Sequence, residues 1–184
     1  MVAFNPLQRQ VDNLDFANNS QFRFQLLKIP TVEYFVTEAN IPGITFGSGV
    51  PISTPFSAIN MMGDTLEFES LEITFLCNED LSNYREIHDW MVGIGFPKNR
   101  EQFEDAVSGA NPELRATPTG PQNLMSDATM HILTNKNNPV LKANFKNCFP
   151  TSLSGLTFTT QNTDTEQLTA TVTFVYDIYE FEVL

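Results

Sequence analysis

The sequence predicts a mainly β protein in which two antiparallel sheets pack as a barrel or sandwich, with one flanking α-helix and an extended β-hairpin. Three observations predict this class. Apolar and polar residues alternate along most of the chain, which is the period of a half-buried strand. Only one stretch has clear helical spacing. Proline and glycine cluster between the alternating stretches, where turns are expected.

Two strands and the hairpin are predicted in the N-terminal third. Apolar residues occupy every second position at the start of Gln21–Ile29, and Val32–Ala39 follows as a second strand after a break at Pro30. The next stretch, Ile44–Asp64, is interrupted by glycine and proline and ends in a Gly-Asp turn. It is predicted to be the extended hairpin.

The strand predicted over Thr65–Cys77 changes phase midway. Its apolar residues sit at even positions from Leu66 to Phe68 and at odd positions from Leu71 onward. One added residue near Ser70, a β-bulge, would absorb this shift and keep the whole apolar set facing the core. Three glutamates then share the polar face of one long strand: Glu67, Glu69 and Glu72.

One helix is predicted within Asp80–Gly95. Apolar residues recur there at spacings of three and four, and Trp90, the single tryptophan, is among the residues of this stretch. Asp80 or Ser82 can cap the first turn because a short polar side chain accepts a hydrogen bond from a free N–H group. Pro97 follows the predicted end.

Residues 98–127 are predicted to be a loop insertion. Four turn-forming residues mark it: Pro112, Pro118, Gly120 and Pro121. A short helix within Glu101–Val107 fits its first part. A loop of this length is expected to be an interaction element or to be disordered, and both interpretations stay open.

Four strands are predicted in the remainder of the chain: Thr129–Thr134, Val140–Phe149, Leu156–Gln161 and Gln167–Phe181. The last alternates apolar residues with Thr169, Thr171 and Thr173 on the opposite face. Its length exceeds the usual strand of about 5–6 residues. Long strands suit a barrel, or a sandwich whose sheets continue into neighbouring subunits.

Acidic residues outnumber basic ones, with 22 Asp and Glu against 10 Lys and Arg and a formal net charge of -12. Such a surface repels phosphate, because affinity for nucleic acid comes mainly from basic residues. Any contact with DNA is therefore predicted to be passage without specific binding. An acidic balance that serves solubility alone is the alternative.

Motifs for chemistry are not found in the sequence. His88 and Asp89 are neighbours on the predicted helix, so their side chains are expected to diverge. His131 has no second histidine at ligand spacing. The glycines of Gly47–Gly49 are followed by proline rather than by a helix, unlike a dinucleotide-binding loop. The sequence predicts a protein that is not an enzyme, with no catalytic residues, no metal and no cofactor.

The sequence also contains no clear signal for secretion or for membrane insertion. The first residues contain no apolar stretch of signal-peptide length, and the longest uncharged apolar run, Trp90–Phe96, is too short to span a bilayer. Two cysteines, Cys77 and Cys148, make neither a disulfide framework nor a metal site, so buried free thiols are expected. We expect synthesis in the cytoplasm without a membrane anchor.

Three segments, taken in order, resemble the tail tube proteins of contractile-tailed bacteriophages. The first comprises Ser20–Phe24 and the strand and proline turn of Phe35–Gly47. The second, Ile59–Met91, has a Gly-Asp turn, an acidic strand, an Asn-Glu-Asp end and a helix that finishes in Asp-Trp. The third, Lys146–Phe181, has a strand ending in Phe-Pro-Thr and a terminal strand that alternates threonine with apolar residues. Residues 98–127 have no counterpart.

The resemblance implies a structural virion protein made in the host cytoplasm, with a single tail-tube domain over residues 1–184. Its hexameric rings would stack into a tube inside a contractile sheath. The implied partners are further copies of itself, the tail sheath protein, and the baseplate and tail-terminator proteins. DNA would pass through the tube without specific binding.

Two groups of residues are expected to serve this assembly. The apolar side chains of the hairpin are expected to contact other subunits: Ile44, Phe46, Ile52, Phe56, Ile59, Met61 and Met62. The acidic strand face of Glu67, Glu69 and Glu72 is expected in the lumen, because like charge repels DNA within a Debye length of about 8 Å. Its placement outside, against the sheath, is the alternative.

Other functions fit the same pattern. A baseplate tube-initiator ring and a secretion-system tube protein share the expected fold, and composition cannot separate them from a tube body. A monomeric carbohydrate-binding β-sandwich is an alternative of a different class. It needs exposed aromatic platforms, whereas Trp90 lies on the predicted helix.

Overall fold

A computed structural model of the protein describes residues 15–33, 35–47, 49, 52–53, 55–59, 63–108, 124–160 and 167–184, with the backbone alone at 52, 58–59 and 105–108. In chain order the elements are β1 (Phe22–Leu26), α1 (Pro30–Glu33), β2 (Val36–Ala39), β3 (Ile44–Phe46), β4 (Ile52–Ser53), β5 (Ala58–Ile59), β6 (Leu66–Phe68), β7 (Leu71–Leu76), α2 (Ser82–Gly95), α3 (Arg100–Ser108), β8 (Ser126–Leu133), β9 (Pro139–Leu153), β10 (Thr169–Val175) and β11 (Ile178–Val183).

The main strands form two antiparallel sheets that share the long strand β9. Sheet A has the order β1-β8-β9-β11 and uses the first part of β9, whereas sheet B has the order β9-β10-β7-β2 and uses its last part. Two short ladders, β3–β6 and β4–β5, follow one another in the hairpin. The predicted fold, two antiparallel sheets with an extended hairpin, is confirmed.

Both sheets contribute to one core. Burying a large apolar side chain contributes about 1.5–3 kcal/mol, so alternation along each strand turns one face inward. The largest fully buried side chains come from β1, β7, β9 and β10: Phe24, Phe75, Phe145 and Phe174. The ring centroid of Phe145 lies 5.1 Å from that of Tyr176 and 5.4 Å from that of Tyr179. The predicted threonine face of the last strand region lies opposite these inward residues.

Helix α2 covers this core, as predicted. Ile87 and Trp90 are its buried apolar residues, and the Trp90 ring lies 5.9 Å from that of Phe174. Asn83 is also buried, and its amide nitrogen donates a hydrogen bond to the carbonyl of Leu76 at 2.7 Å. The helix is therefore tied to the end of β7 as well as packed on the core.

The start of α2 differs in detail from the two predicted caps. Leu81 precedes the helix in a left-handed conformation, with φ 54°. Asp80 Oδ1 accepts a hydrogen bond from the Ser82 N–H at 3.1 Å. Asp80 thus satisfies a free donor of the first turn, as a capping residue does, whereas Ser82 is the first helical residue. The short helix expected within Glu101–Val107 is confirmed as α3.

The prediction of a strand over all of Val32–Ala39 is wrong in its first half. Pro30 begins a single helical turn, α1, because its fixed φ is already that of a first helical residue. Val32 is buried, and Thr31 Oγ1 donates a hydrogen bond to Glu86 Oε2 on α2. The strand begins only at Val36.

The single bulged strand expected over Thr65–Cys77 is also wrong, because two strands replace it. β6 pairs with β3 in the hairpin, whereas β7 pairs with β2 and β10 in sheet B. The residues between them have other partners: Glu69 donates its N–H to the Gly43 carbonyl at 3.1 Å, and the Ser70 carbonyl accepts from the Asn40 amide at 3.2 Å. The shift in the apolar pattern therefore marks the point at which the chain passes from the hairpin to sheet B.

Two C-terminal strand predictions need correction. The strand expected over Leu156–Gln161 is absent from the described residues 154–160, and Phe158 there is 72% exposed. The strand expected over Gln167–Phe181 divides into β10 and β11 at residues 176–177. The chain crosses from sheet B to sheet A at this point, and Asp177 Oδ2 accepts a hydrogen bond from the Asn147 amide at 2.6 Å.

Candidate assembly surfaces

The β3–β6 ladder of the hairpin has two chemically different faces. Residues that pair directly across an antiparallel ladder share a face. Four apolar residues form one face, which we call the hairpin apolar face: Ile44, Phe46, Leu66 and Phe68. The opposite face carries the paired residues Thr45 and Glu67. If solvent lay on both sides of this ladder, its apolar face would not gain the free energy of burial.

The hairpin apolar face begins at the core and continues into solvent. Phe68 packs at its base, with ring centroids 5.6 Å from Tyr179 and 6.1 Å from Tyr176. Ile44, which pairs with Phe68, is 49% exposed, and the outer pair is 49% exposed at Leu66 and 62% at Phe46. Phe56, which lies beyond this ladder in the hairpin, is 98% exposed. Leu66 was predicted to face the core, and that prediction is wrong because β6 lies in the hairpin and not in sheet B.

The other predicted contact residues lie further along the hairpin. Ile52 and Ile59 are paired across the β4–β5 ladder, and their side chains lie outside the description. Met61 and Met62 lie outside the described residues. The return arm passes close to the outgoing one at Gly63, where a β-carbon would clash with the Gly47 carbonyl oxygen. Glycine is therefore required at this point.

Two tyrosines that the sequence analysis did not single out hold the base of the hairpin. The Tyr179 hydroxyl donates a hydrogen bond to the Pro42 carbonyl at 3.1 Å, and the Tyr176 hydroxyl donates to the Glu69 carbonyl at 2.9 Å. Burial is the largest cause that raises the pKa of Tyr176 to about 12. Both bonds join C-terminal residues to residues more than a hundred positions earlier, and strand alternation carries no signal for such a pairing.

The three predicted acidic residues are all exposed, but they lie on different parts of the fold. Glu67 lies on the polar face of the β3–β6 ladder, and Glu72 lies on the outer face of sheet B. Glu69 lies between the two strands, where its Oε2 accepts a hydrogen bond from the Gly43 N–H at 3.3 Å. They do not share one strand face, because the ladder breaks at residues 69–70.

The outer face of sheet B carries hydroxyl groups and carboxylates. Its residues are exposed or half-buried: Glu38, Glu72, Thr74, Thr169, Thr171 and Thr173. The hydroxyls of Thr74 and Thr171 lie 3.1 Å apart. Lysine and arginine do not occur in the described strands β2, β7 and β10. This face therefore offers no cationic group to hold a phosphate.

The outer face of sheet A is different, because ion pairs cross or border it. These are Arg23–Glu33 at 2.7 Å, Lys146–Glu180 at 2.8 Å and Lys142–Glu182 at 3.4 Å. His131 lies in register between Arg23 and Lys142. Burial, followed by the charges of Lys142 and Arg23, lowers the pKa of His131. The two sheets thus present chemically distinct surfaces.

The contact between His88 and Asp89 on α2 contradicts one prediction. His88 Nδ1 lies 3.2 Å from Asp89 Oδ1, so the expected divergence of these neighbours is wrong. Their side chains are 57% and 65% exposed, and at the solvent surface two flexible side chains can meet although their Cα–Cβ bonds diverge. His131 contacts Gln25 Oε1 at 3.3 Å. Within the described ranges, no group of three His, Cys, Asp or Glu residues could hold a metal ion.

The two cysteines are free, but only Cys148 is fully buried, whereas Cys77 is half-buried. Burial raises the pKa of the Cys148 thiol to about 12 and also raises that of Cys77. Thiols so protonated are weak nucleophiles at neutral pH. Across the part of the chain that is described, no helix is long and apolar enough to cross a membrane.

Trp90 is not an aromatic platform on the surface. Its side chain is 5% exposed, its Nε1 donates a hydrogen bond to the Leu124 carbonyl at 2.7 Å, and the Lys28 ammonium lies 4.9 Å from its ring. Burial lowers the pKa of Lys28 to about 8. Trp90 therefore joins α2 to the chain entering β8, and stacking on a sugar is not open to it.

Comparisons with known proteins agree with one another. The family model described as phage tail tube protein matches residues 2–182. The tail tube terminator protein of Enterobacteria phage T4 is 26% identical over 172 residues, which are 90% of this chain and 89% of the relative. A cap protein that terminates the tube of the anti-feeding prophage has a TM-score of 0.56 at 14% identity, with coverage of 98% and 100%. A chain of the sheath-tube complex of the extracellular contractile injection system PVC, in its extended state, has a TM-score of 0.53 at 13% identity, with coverage of 99% and 100%. At these identities the two structures show the shared fold alone.

Proposed function

Because this chain belongs to the phage tail tube protein family, we propose that it forms hexameric rings that stack into a tube, inside a contractile sheath, through which DNA passes. The resemblance found in the sequence is confirmed at the level of the family. In this role the protein is structural and has no enzymatic activity. It is one tail-tube domain over residues 1–184, with an insertion at 98–127.

The partners follow from this role. The chain binds further copies of itself, the tail sheath protein, and the baseplate and tail-terminator proteins. It resides in the virion after synthesis in the host cytoplasm. DNA in transit is not bound specifically, which the scarcity of basic residues supports.

The observation that carries this proposal is the hairpin apolar face. It continues the core outward and exposes Ile44, Phe46 and Leu66. An exposed apolar surface of this kind marks a site of interaction. A second copy of the chain is its occupant, because a protein that assembles with itself in closed rings needs one surface that fits another on its neighbour. The hairpin residues are therefore the contacts between subunits.

The β3–β6 ladder also supports the placement of the acidic residues in the lumen of the tube. If a neighbour covers the hairpin apolar face, the opposite face with Glu67 remains in water. The outer face of sheet B, with Glu72, has the same acidic and hydroxyl character. Both surfaces suit a channel wall that does not hold phosphate. We therefore assign Glu67, Glu69 and Glu72 to the lumen.

A second candidate function is the ring that terminates the tube. The T4 relative, which matches 90% of this chain, is itself a tail tube terminator. The sequence analysis placed terminators among the partners and named the initiator ring and the secretion-system tube as alternatives. The carbohydrate-binding alternative is not supported, since Trp90 is buried. A tube protein forms stacks of many rings, whereas a terminator ends them.

Phe46→Asp is expected to abolish ring formation. The substitution places a charge on the outer, exposed part of the hairpin apolar face. A desolvated carboxylate left without a partner at an interface is strongly unfavourable. Oligomeric state is measured by size-exclusion chromatography with light scattering, and rings are counted by negative-stain microscopy.

Thr45→Asp is the matched control for this experiment. It adds the same charge to the same strand on the opposite face, where Glu67 already lies, so rings are expected to form. Rings formed by the Phe46→Asp variant would show that the hairpin apolar face is not the contact. Circular dichroism confirms that both variants are folded.

A further inference from the structure

The two ends of strand β9 carry surfaces that are complementary to each other. The turn between β8 and β9 lies at the start of β9 and is closed by a hydrogen bond from the Thr134 N–H to the Asn138 carbonyl at 2.8 Å. Lys136 is exposed at its tip. Beside the turn, Val140 is 45% and Val183 80% exposed. We call Lys136, Val140 and Val183 the turn end.

An open groove with a volume of about 650 Å³ lies at the other end of β9. Its walls include the apolar side chains of Phe35, Leu76 and Cys77, and its rim carries the exposed Glu79 and Asp80. We call these five residues the groove end.

The groove end is fixed to the last residues of β9 by the sheet and by α2. Leu76 pairs with Thr169 where β10 begins, and Leu153 pairs with Val172 three residues further along β10. The Tyr84 hydroxyl donates a hydrogen bond to the Ser154 carbonyl at 3.1 Å. β9 has 15 residues, so about 50 Å of strand separates the two ends at roughly 3.3 Å per residue.

The charges at the two ends are not neutralised by ion pairs of their own. Lys136 forms no ion pair with the described residues. The stretch 29–84, which supplies the whole groove end, contains no lysine, arginine or histidine. Hydrogen bonds from Ser82 and, as a smaller cause, the charge of nearby Arg85 lower the pKa of Asp80, so this carboxylate keeps its charge. Arg85 forms its ion pair with Asp89 and not with Asp80. Each end therefore offers an apolar surface next to a charge of opposite sign that is not held in an ion pair.

We propose that the turn end of one copy seats in the groove end of another, so that Lys136 faces Glu79 and Asp80 while the paired ends of β9 and β11, with Val140 on one face and Val183 on the other, cover the apolar wall. The contact rests on the proposed function and names the surfaces through which rings stack. Two different patches of one chain meet, so the contact is heterologous and leaves a free turn end and a free groove end at the two ends of every stack. A local pair of opposite charges also offsets the repulsion between chains of net charge -12.

Charge reversal tests the contact. Lys136→Glu alone and Glu79→Lys alone are each expected to raise the protein concentration needed for stacking by about tenfold or more, because each sets like charges against one another. The double variant restores the opposite charges and is expected to stack within about threefold of the wild-type concentration. Asp80 is left unchanged because it accepts the hydrogen bond from Ser82. Stack length is measured by sedimentation velocity and negative-stain microscopy.

Lys98→Glu is the control, because it makes the same charge change at an exposed residue outside both ends. It is expected to stack as the wild type does. The proposal is overturned if either single variant stacks normally or if the double variant stacks no better than the single ones. Wild-type protein that forms no rings would instead overturn the proposed function, and rings that stack regardless of these charges would overturn this contact alone.

Discussion

The double variant Glu67→Lys, Glu72→Lys is expected to assemble into tubes and to reduce genome delivery by about tenfold or more, because cations in the channel wall would bind the phosphates of passing DNA. Both residues are exposed, one on the polar face of the β3–β6 ladder and one on the outer face of sheet B. Glu69 is kept because it accepts a hydrogen bond from Gly43. Particles that lack the native chain are complemented with the variant, and infected cells are counted.

The matched control for the lumen is Glu101→Lys, Glu104→Lys. It makes the same charge change at exposed positions on α3, and delivery is expected to be normal. Particles with lysine at 67 and 72 that eject DNA normally but fail to bind sheath would place these glutamates on the outer surface. Raising the ionic strength should weaken the defect, since adhesion to phosphate falls with salt.

Phe145→Ala is expected to lower the free energy of unfolding by about 3–5 kcal/mol, which is the usual cost of removing a buried phenylalanine. Phe145 is fully buried on the strand that both sheets share, and it contacts Tyr176 and Tyr179. Those tyrosines hold the base of the hairpin, so its loss should also loosen the hairpin. Urea unfolding is measured in the Phe46→Asp background, because assembly would otherwise add to the apparent stability.

Phe181→Ala is the control for this prediction. Phe181 also contacts Tyr179, with ring centroids 5.4 Å apart, but it is 51% exposed. A loss of about 1 kcal/mol or less is expected, because little apolar area returns to water. Equal losses for the two variants would show that Phe145 is not at the centre of the core.

Alternation and helical spacing were enough to predict the β class and α2. Each of these depends on the burial pattern of neighbouring residues, which the sequence displays directly. The changes of sheet could not be predicted in this way. The phase shift before Leu71 was interpreted as a bulge, although it marks the passage from the hairpin to sheet B, and Gln167–Phe181 alternates without interruption across the division at residues 176–177.

The candidate site could be predicted to a similar extent. The apolar residues of the hairpin and the acidic residues were predicted from the sequence pattern and the family resemblance. The exposure of Ile44, Phe46 and Phe56 and of the three glutamates agrees with a role outside the core. The core placement of Leu66 was wrong because pairing with β3, rather than its own pattern, decides which surface it joins. The hydrogen bonds of Tyr176 and Tyr179 were missed because contacts between distant segments depend on the fold.

Electron microscopy of the purified wild-type protein tests the central claim most directly. We expect six-fold rings in which the hairpin apolar face packs against a neighbouring subunit and Glu67 and Glu72 line the channel. A monomeric protein, or an assembly in which Phe46 remains exposed to solvent, would contradict the account.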